Sequence, residues 1–198
     1  MEEYTAMRCN GLPDWSEIPA VSLDYALQKN NANVSAQAQL CYDDTAFYLR
    51  LSAQEAHIRA ELTGTPDEVC EDSCLEFFFR PVSDDPRYIN IECNPNGCLY
   101  VGIGTNIETL TRLNSKLHPI TPIAKRISGG WETVYSVPFH FICQHFPSFS
   151  PRSGDCIRAN FYKCGDLTVI PHYLSWNPVP MQPFAFHNPD CFGTIRYQ

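Results

Sequence analysis

The sequence predicts an all-β fold: an antiparallel β-sandwich with immunoglobulin-like or jelly-roll-like layers and little helix. Three observations carry that expectation. Short segments alternate apolar and polar residues, the period of a strand with one buried face. Turn signals rich in Gly, Pro, Asn and Asp separate them at short spacing, as in a sandwich. Charged residues make up 18% against 44% hydrophobic and 13% aromatic. That charged share lies below the usual quarter or so and suits neutral polar sheet faces better than charged helices.

Residues 1–33 read as an irregular lead-in, with Trp15 as a peg that tucks an N-terminal turn onto the body. Val34–Leu40 and Phe47–Ser52 alternate around the turn Tyr42-Asp-Asp-Thr45 and form a hairpin. Gln54–Pro66 is mixed and has room for one helical turn. Glu71–Phe79 is a strand with Leu75, Phe77 and Phe79 on its core face and Cys74, Glu76 and Phe78 on the other. Tyr88–Asn94 alternates strictly, placing Tyr88, Asn90, Glu92 and Asn94 opposite Ile89, Ile91 and Cys93. Pro95-Asn96-Gly97 returns the chain into Cys98–Ile103, because Asn-Gly is a strong hairpin signal. A weakly patterned loop runs to about Thr121. Ile123–Ile127 and Trp131–Val137 form another hairpin around Ser128-Gly-Gly130, and Pro138–Phe149 is a short helix or loop. Cys156–Lys163 turns Ile157, Ala159 and Phe161 inward and Arg158, Asn160 and Tyr162 outward. Tyr173–Asn177 is a short strand broken by Pro178, and Phe192–Tyr197 closes the sheet.

At 198 residues, without an internal repeat or linker, the chain reads as a single domain over residues 1–198. A net charge of −8 and a pI near 5.1 argue against nucleic acid and anionic membrane as partners. The N-terminus, Met-Glu-Glu-Tyr-Thr, has neither basic region nor apolar run, so the expected location is cytoplasmic. Ten cysteines then read as reduced thiols, most of them buried in strands. Cys70 and Cys74, spaced C-x₃-C, imitate a zinc set together with Cys93 and Cys98, but the strand pattern assigns them to the core. His140, His145 and His172 lack the spacing of a zinc helix, so no metal site is expected.

Several outward strand positions differ from an ordinary solvated face. Glu76, then Asn90, Glu92 and Asn94, then Arg158, Asn160 and Tyr162 place amides, carboxylates, a guanidinium and a phenol on one sheet, with Trp176-Asn177 near them. Such groups match the paired donors and acceptors of sugar hydroxyls, while an indole stacks on a pyranose face.

The chain resembles carbohydrate-binding module family 9-like domains, within the wider DOMON-like β-sandwich group. The resemblance rests on Glu71-Asp-Ser-Cys-Leu-Glu-Phe-Phe, Tyr88–Gly97, Trp131 before Val137-Pro138, Arg158-Ala-Asn-Phe-Tyr-Lys, Ser175-Trp-Asn-Pro and the ending Phe186–Ile195. It implies non-catalytic binding of a mono- or oligosaccharide stacked on Trp176. The implied ligand set is Glu71, Glu76, Asn90, Glu92, Asn94, Arg158, Asn160, Tyr162 and Asn177. An earlier stacking aromatic is missing, since Val69 and Cys70 stand there. No cofactor is expected beyond structural calcium, for which Asp43-Asp44 and Asp84-Asp85 are the candidates. Two rival functions remain. One is a haem-binding electron-transfer domain using Met181 and His187. The other is a small glycoside hydrolase using Glu76 and Glu92 as its carboxylate pair. Oligomeric state is not set by any of these features.

Overall fold

A computed structural model describes residues 1–65, 68–114, 116–181 and 185–198. Among them the chain forms fourteen strands and one α-helix. In order these are β1 (Glu3–Arg8), β2 (Val21–Ser22), β3 (Tyr25–Ala26), β4 (Ser35–Tyr42), β5 (Ala46–Gln54), β6 (Cys74–Arg80) and β7 (Tyr88–Cys93). They continue as β8 (Leu99–Gly104), β9 (Thr111–Arg112), β10 (Ile123–Ile127), β11 (Gly130–Pro138), α1 (Phe139–His145), β12 (Cys156–Gly165), β13 (His172–Ser175) and β14 (Gly193–Tyr197).

The strands lie in two layers. One runs β10-β11-β5-β4, with β2 on the free edge of β4; the other runs β14-β12-β6-β7-β8-β9. The ten-residue β12 serves two partners along one edge. Its first half pairs with β14 and its second half with β13, while β6 takes the other edge. The mostly β sandwich is as expected, but its pairing is mixed rather than wholly antiparallel. The departure is β1, which was expected to be irregular. Glu3–Ala6 run parallel to β14, and Met7–Arg8 run parallel to β4. One six-residue strand thus crosses from one layer to the other and joins them.

The alternation of the sequence places the core between these layers. Leu75, Phe77 and Phe79 from β6, Ile89 and Ile91 from β7, and Phe161 from β12 meet Leu40, Phe47, Leu49 and Trp131 of the facing layer. Rings dominate the contact: Phe77 stacks between Phe79 and Phe161 at centroid distances of 4.8 and 5.0 Å. The Asn-Gly hairpin between β7 and β8 forms as predicted, though only Gly97 takes positive φ, at 76°. Asn94 holds that turn, its side-chain oxygen accepting from the N–H groups of Asn96 (3.0 Å) and Cys98 (2.8 Å).

The N-terminal peg is Ile18, which is buried, whereas Trp15 is half-buried. That segment is held by its carbonyls: Gln39 Nε2 donates to Trp15 O at 2.8 Å and to Ile18 O at 2.6 Å. The expected helical turn within Gln54–Pro66 does not form in its described part; a 3₁₀ turn occurs at Val69–Glu71 instead.

The layer-joining strand is fixed by one hydroxyl. Tyr4 Oη shares its proton between the carbonyls of Leu40 (2.8 Å) and Pro19 (2.9 Å) and accepts from Leu40 N–H at 3.1 Å. Replacing Tyr4 by Phe keeps the ring but leaves a buried N–H and carbonyl unpaired. Tyr4→Phe is therefore expected to lower unfolding stability by about 1–3 kcal/mol, read as a shifted urea midpoint. An unchanged midpoint would contradict this account of how β1 is anchored.

Candidate functional site

The layer containing β6, β7, β8 and β12 also buries its second face. Strand register sets out that face in rows. Tyr162, Glu76, Glu92 and Tyr100 are successive cross-strand partners, and so are Asn160, Phe78, Asn90 and Gly102. Cys164 and Cys74 form a further pair beyond Tyr162 and Glu76. A second apolar cluster covers these rows, built from Val69, Cys74, Phe78, Tyr88, Tyr162, Phe186 and Phe192. Phe186 lies flat on Tyr162, with ring centroids 4.0 Å apart. Cys70, Tyr100, Leu110 and Tyr173 pack at its margin and are half-buried. Glycine at position 102 lets Tyr100 lie over the sheet, since a Cβ there would stand 2.8 Å from that ring. The Arg112 guanidinium in turn lies 5.3 Å from the Tyr100 ring centre.

Glu76 is 2% and Glu92 7% exposed, and they face each other across β6 and β7. Burial disfavours their charged forms. Burial, then repulsion from Glu92, holds the Glu76 carboxyl well above the usual range, although Cys164 Sγ donates to it at 2.8 Å. Burial also pushes Glu92 up to about 7, opposed by its bond from Asn90 and by Arg112. Asn90 Nδ2 donates to Glu92 Oε1 at 2.9 Å. The other end of that amide, Asn90 Oδ1, is buried and has no donor among the described residues. A buried acceptor without a donor is rare in folded proteins.

Of the residues expected to bind ligand, Glu76, Asn90, Glu92, Arg158, Asn160 and Tyr162 share this face. Tyr162, Arg158 and Asn160 have structural tasks there, as do Asn94 and Asn177 nearby; Tyr162 Oη donates to Phe186 O at 3.1 Å. Asn94 forms the β7–β8 turn and donates to Asp72 Oδ2 at 2.9 Å. Asn160 holds the backbone of Asn177 at both ends, accepting from its N–H at 2.8 Å and donating to its carbonyl at 3.0 Å. The Asn177 side chain accepts from Glu2 N–H at 2.8 Å and donates to Cys191 O at 2.6 Å. Arg158 donates to the carbonyls of Phe192 and Gly193. Asn160 and Arg158 thus spend their place on the face in securing the C-terminal loop. Trp176 lies in the main core at 4% exposure, against Phe161, with its ring edge filling the space beside Gly193. That position does not fit the expected stacking role, because protein already occupies the ring. Glu71 is half-buried at the end of the 3₁₀ turn, where its carbonyl accepts from Leu167 N–H at 3.1 Å.

A buried ion network was missing from the expected set. Glu55 accepts from Trp131 Nε1 at 2.6 Å and from Ser73 Oγ at 3.0 Å, and it lies 3.4 Å from Lys163 Nζ. Lys163, fully buried, also donates to Cys164 O and meets His172 Nε2, each at 2.7 Å. A signal for it existed, since Lys163 has the parity of Ile157, Ala159 and Phe161 and so points into the protein. His187 is hydrogen-bonded through Nδ1 to the Tyr88 hydroxyl at 2.8 Å, and Met181 is 80% exposed.

The acidic pairs raised for calcium do not fit it. Asp43 accepts from Thr45 N–H (2.7 Å), Ala46 N–H (2.9 Å) and Tyr48 Oη (2.9 Å), Asp44 pairs with Arg8, and Asp85 forks onto Arg87. Calcium asks for about six to eight oxygens directed at one point.

The raised Glu92 pKa has a consequence for stability. Its protonated form is favoured in the folded chain, so this contribution is fully present below the ordinary value of 4.5 and is lost as pH rises through about 7. Burial also lowers His187 to about 4, which adds stability as pH rises over much of the same window, so the Glu92 contribution is read by difference: the wild-type thermal midpoint is expected to fall relative to that of Glu92→Gln between those two pH values. A difference that stays constant over this window would contradict the assignment.

Comparison with known proteins agrees with this architecture. The family model for carbohydrate-binding family 9 matches residues 15–197. A candidate carbohydrate-binding protein from Bacteroides uniformis ATCC 8492 superposes with a TM-score of 0.86 at 28% identity, covering 100% of this chain and 99% of that one. A family 9 module from Caldicellulosiruptor kristjanssonii is similar in fold at 12% identity. Its cellotriose complex superposes with a TM-score of 0.73, covering 100% and 94% of the two chains. Its glucose complex gives 0.72, with coverage of 100% and 96%. No curated protein matches the sequence significantly. With the family model spanning all but the ends of the chain, this protein belongs to carbohydrate-binding family 9.

Proposed function

We propose that this protein binds a sugar, without catalysis, on the second face of the β6–β7–β8–β12 layer, with Asn90 and Glu92 as its principal hydrogen-bonding residues. The observation that carries the reading is the pairing of a donor-less buried acceptor, Asn90 Oδ1, with the carboxyl of Glu92 two residues along the same face. A hydroxyl of a sugar donates and accepts at once, so vicinal hydroxyls suit an amide oxygen beside a carboxyl group. Tyr100 and Arg112 stand at the margin of the same rows and would frame the ligand. Family membership supports carbohydrate as the ligand class. Glucose and cellotriose, the ligands of the Caldicellulosiruptor module, are the first to try.

In this reading the aromatic partner is Tyr100 rather than Trp176, because Tyr100 is half-buried at the margin while Trp176 is enclosed. A polar site of this kind discriminates through unpaired groups: an analogue lacking one hydroxyl leaves a buried acceptor without a donor.

Calorimetric titration with glucose, xylose, cellobiose and cellotriose tests the proposal. Saturable binding is expected with at least one sugar, and Asn90→Ala or Glu92→Gln should weaken it about tenfold or more. Heatless titrations throughout, or variants that bind like the parent, would overturn the assignment. Release of free sugar during titration would instead favour hydrolysis by Glu76 and Glu92.

A further inference from the structure

We propose that Cys74, Glu76 and Cys164 form a binding site for one zinc-class divalent cation, buried between β6 and β12. Cys74 and Glu76 are two residues apart on β6 and point to the same face, and Cys164 is the direct cross-strand partner of Cys74 on β12. Their ligand atoms, two sulfurs and a carboxylate oxygen, all lie within 4.8 Å of one another, and this is the cluster of that kind found among the described residues. All three residues are buried, at 0, 2 and 2% exposure. A tetrahedral zinc ion takes thiolate at about 2.3 Å and carboxylate oxygen at about 2.0–2.2 Å, so the 2.8 Å hydrogen bond between Cys164 Sγ and Glu76 has to open as the ion enters.

The donor set selects the metal. Two thiolates favour zinc over calcium or magnesium, which demand oxygen ligands. Three protein ligands leave a fourth position. Half-buried Cys70, whose carbonyl lies 3.8 Å from Cys164 Sγ, stands beside that position. The zinc-like cysteines suggested by spacing, Cys93 and Cys98, are not among the ligands, since Cys93 faces the main core opposite Leu75.

Without metal, burial shifts the Cys74 thiol and the Glu76 carboxyl towards their protonated forms, and the hydrogen bond with Cys74, then burial, does the same for Cys164. Binding then exchanges protons for the ion: two thiols and one carboxylic acid release three protons, and the dication is left with three anionic ligands. The resulting site carries a single negative charge. No oxidant or reductant takes part. The site shares Glu76 with the polar face but does not depend on sugar binding, and its test uses no sugar.

Cobalt(II), then zinc chloride, is titrated into the full chain after chelator treatment and in the presence of a phosphine reductant. One cobalt per chain is expected, with thiolate-to-cobalt charge-transfer absorption in the near ultraviolet and tetrahedral bands in the visible, bleached by one equivalent of zinc. Cys74→Ser with Cys164→Ser should lose the charge-transfer band, while Cys156→Ser, at an exposed cysteine, should keep it. Glu76→Gln, which retains both sulfurs, should keep a band but require more cobalt to saturate it. Absence of any charge-transfer band in the wild-type chain would overturn the proposal whatever the variants do. So would a band that survives in a folded double variant, because other cysteines would then be the ligands.

Discussion

A strand has two faces, and the layer of β6, β7, β8 and β12 buries both. Every other feature follows from that constraint. The inner face is apolar and stacks its phenylalanines against the facing layer. The outer face carries carboxyls, amides and thiols, and each of these must find a partner away from water. Part of the demand is met by the C-terminal loop, which Asn160 and Arg158 hold through backbone atoms of Asn177, Phe192 and Gly193. The remainder is concentrated at Glu76, Asn90 and Glu92, where two carboxyls are raised and one amide oxygen lacks a donor.

The same constraint separates structural polar groups from available ones. Glu55, Lys163 and His172 are buried as deeply as the site residues, yet they bond to one another and to Trp131 and Ser73. Satisfied networks of this kind rigidify a fold. Asp72 is similar: it accepts from the N–H groups of Glu61 and Leu62 and from Asn94, and so pins the segment before β6. What distinguishes Asn90 is incomplete pairing, not burial.

Most strands were legible in the sequence because alternation is a local property. The face assignments along Cys74–Phe79, Tyr88–Cys93 and Cys156–Tyr162 could be read from single segments, and so could the Asn-Gly turn. β1 could not. Glu3-Tyr4-Thr5-Ala6 does alternate, but the run is only four residues long, and its partners at residues 194–197 and 41–42 are remote in the sequence, so local pattern does not reveal that it joins two layers. The site was legible as a face but not as a site. Alternation places Asn160 and Asn90 alike, whereas only the fold reveals that Asn160 is consumed by the loop at Asn177. Trp176 was given its stacking role by resemblance, although strand parity points the other way: it has the parity of Leu174, and its N–H continues the ladder to Phe161 O at 3.0 Å, so it faces the main core. Cys164 lay beyond the segment that was read as a strand, so its pairing with Cys74 emerged only with the full ten residues of β12.

The central claim is that the ligand occupies the outer face at Asn90 and Glu92. Amide-resolved NMR of the isotopically labelled chain, titrated with cellotriose, tests it most directly. The account predicts shifts concentrated on β7, β8 and β9, with Asn90, Glu92, Tyr100 and Arg112 among the most affected. Shifts gathered instead on the opposite layer, around Arg50 and Glu132, would place the ligand on the other side of the sandwich and contradict it.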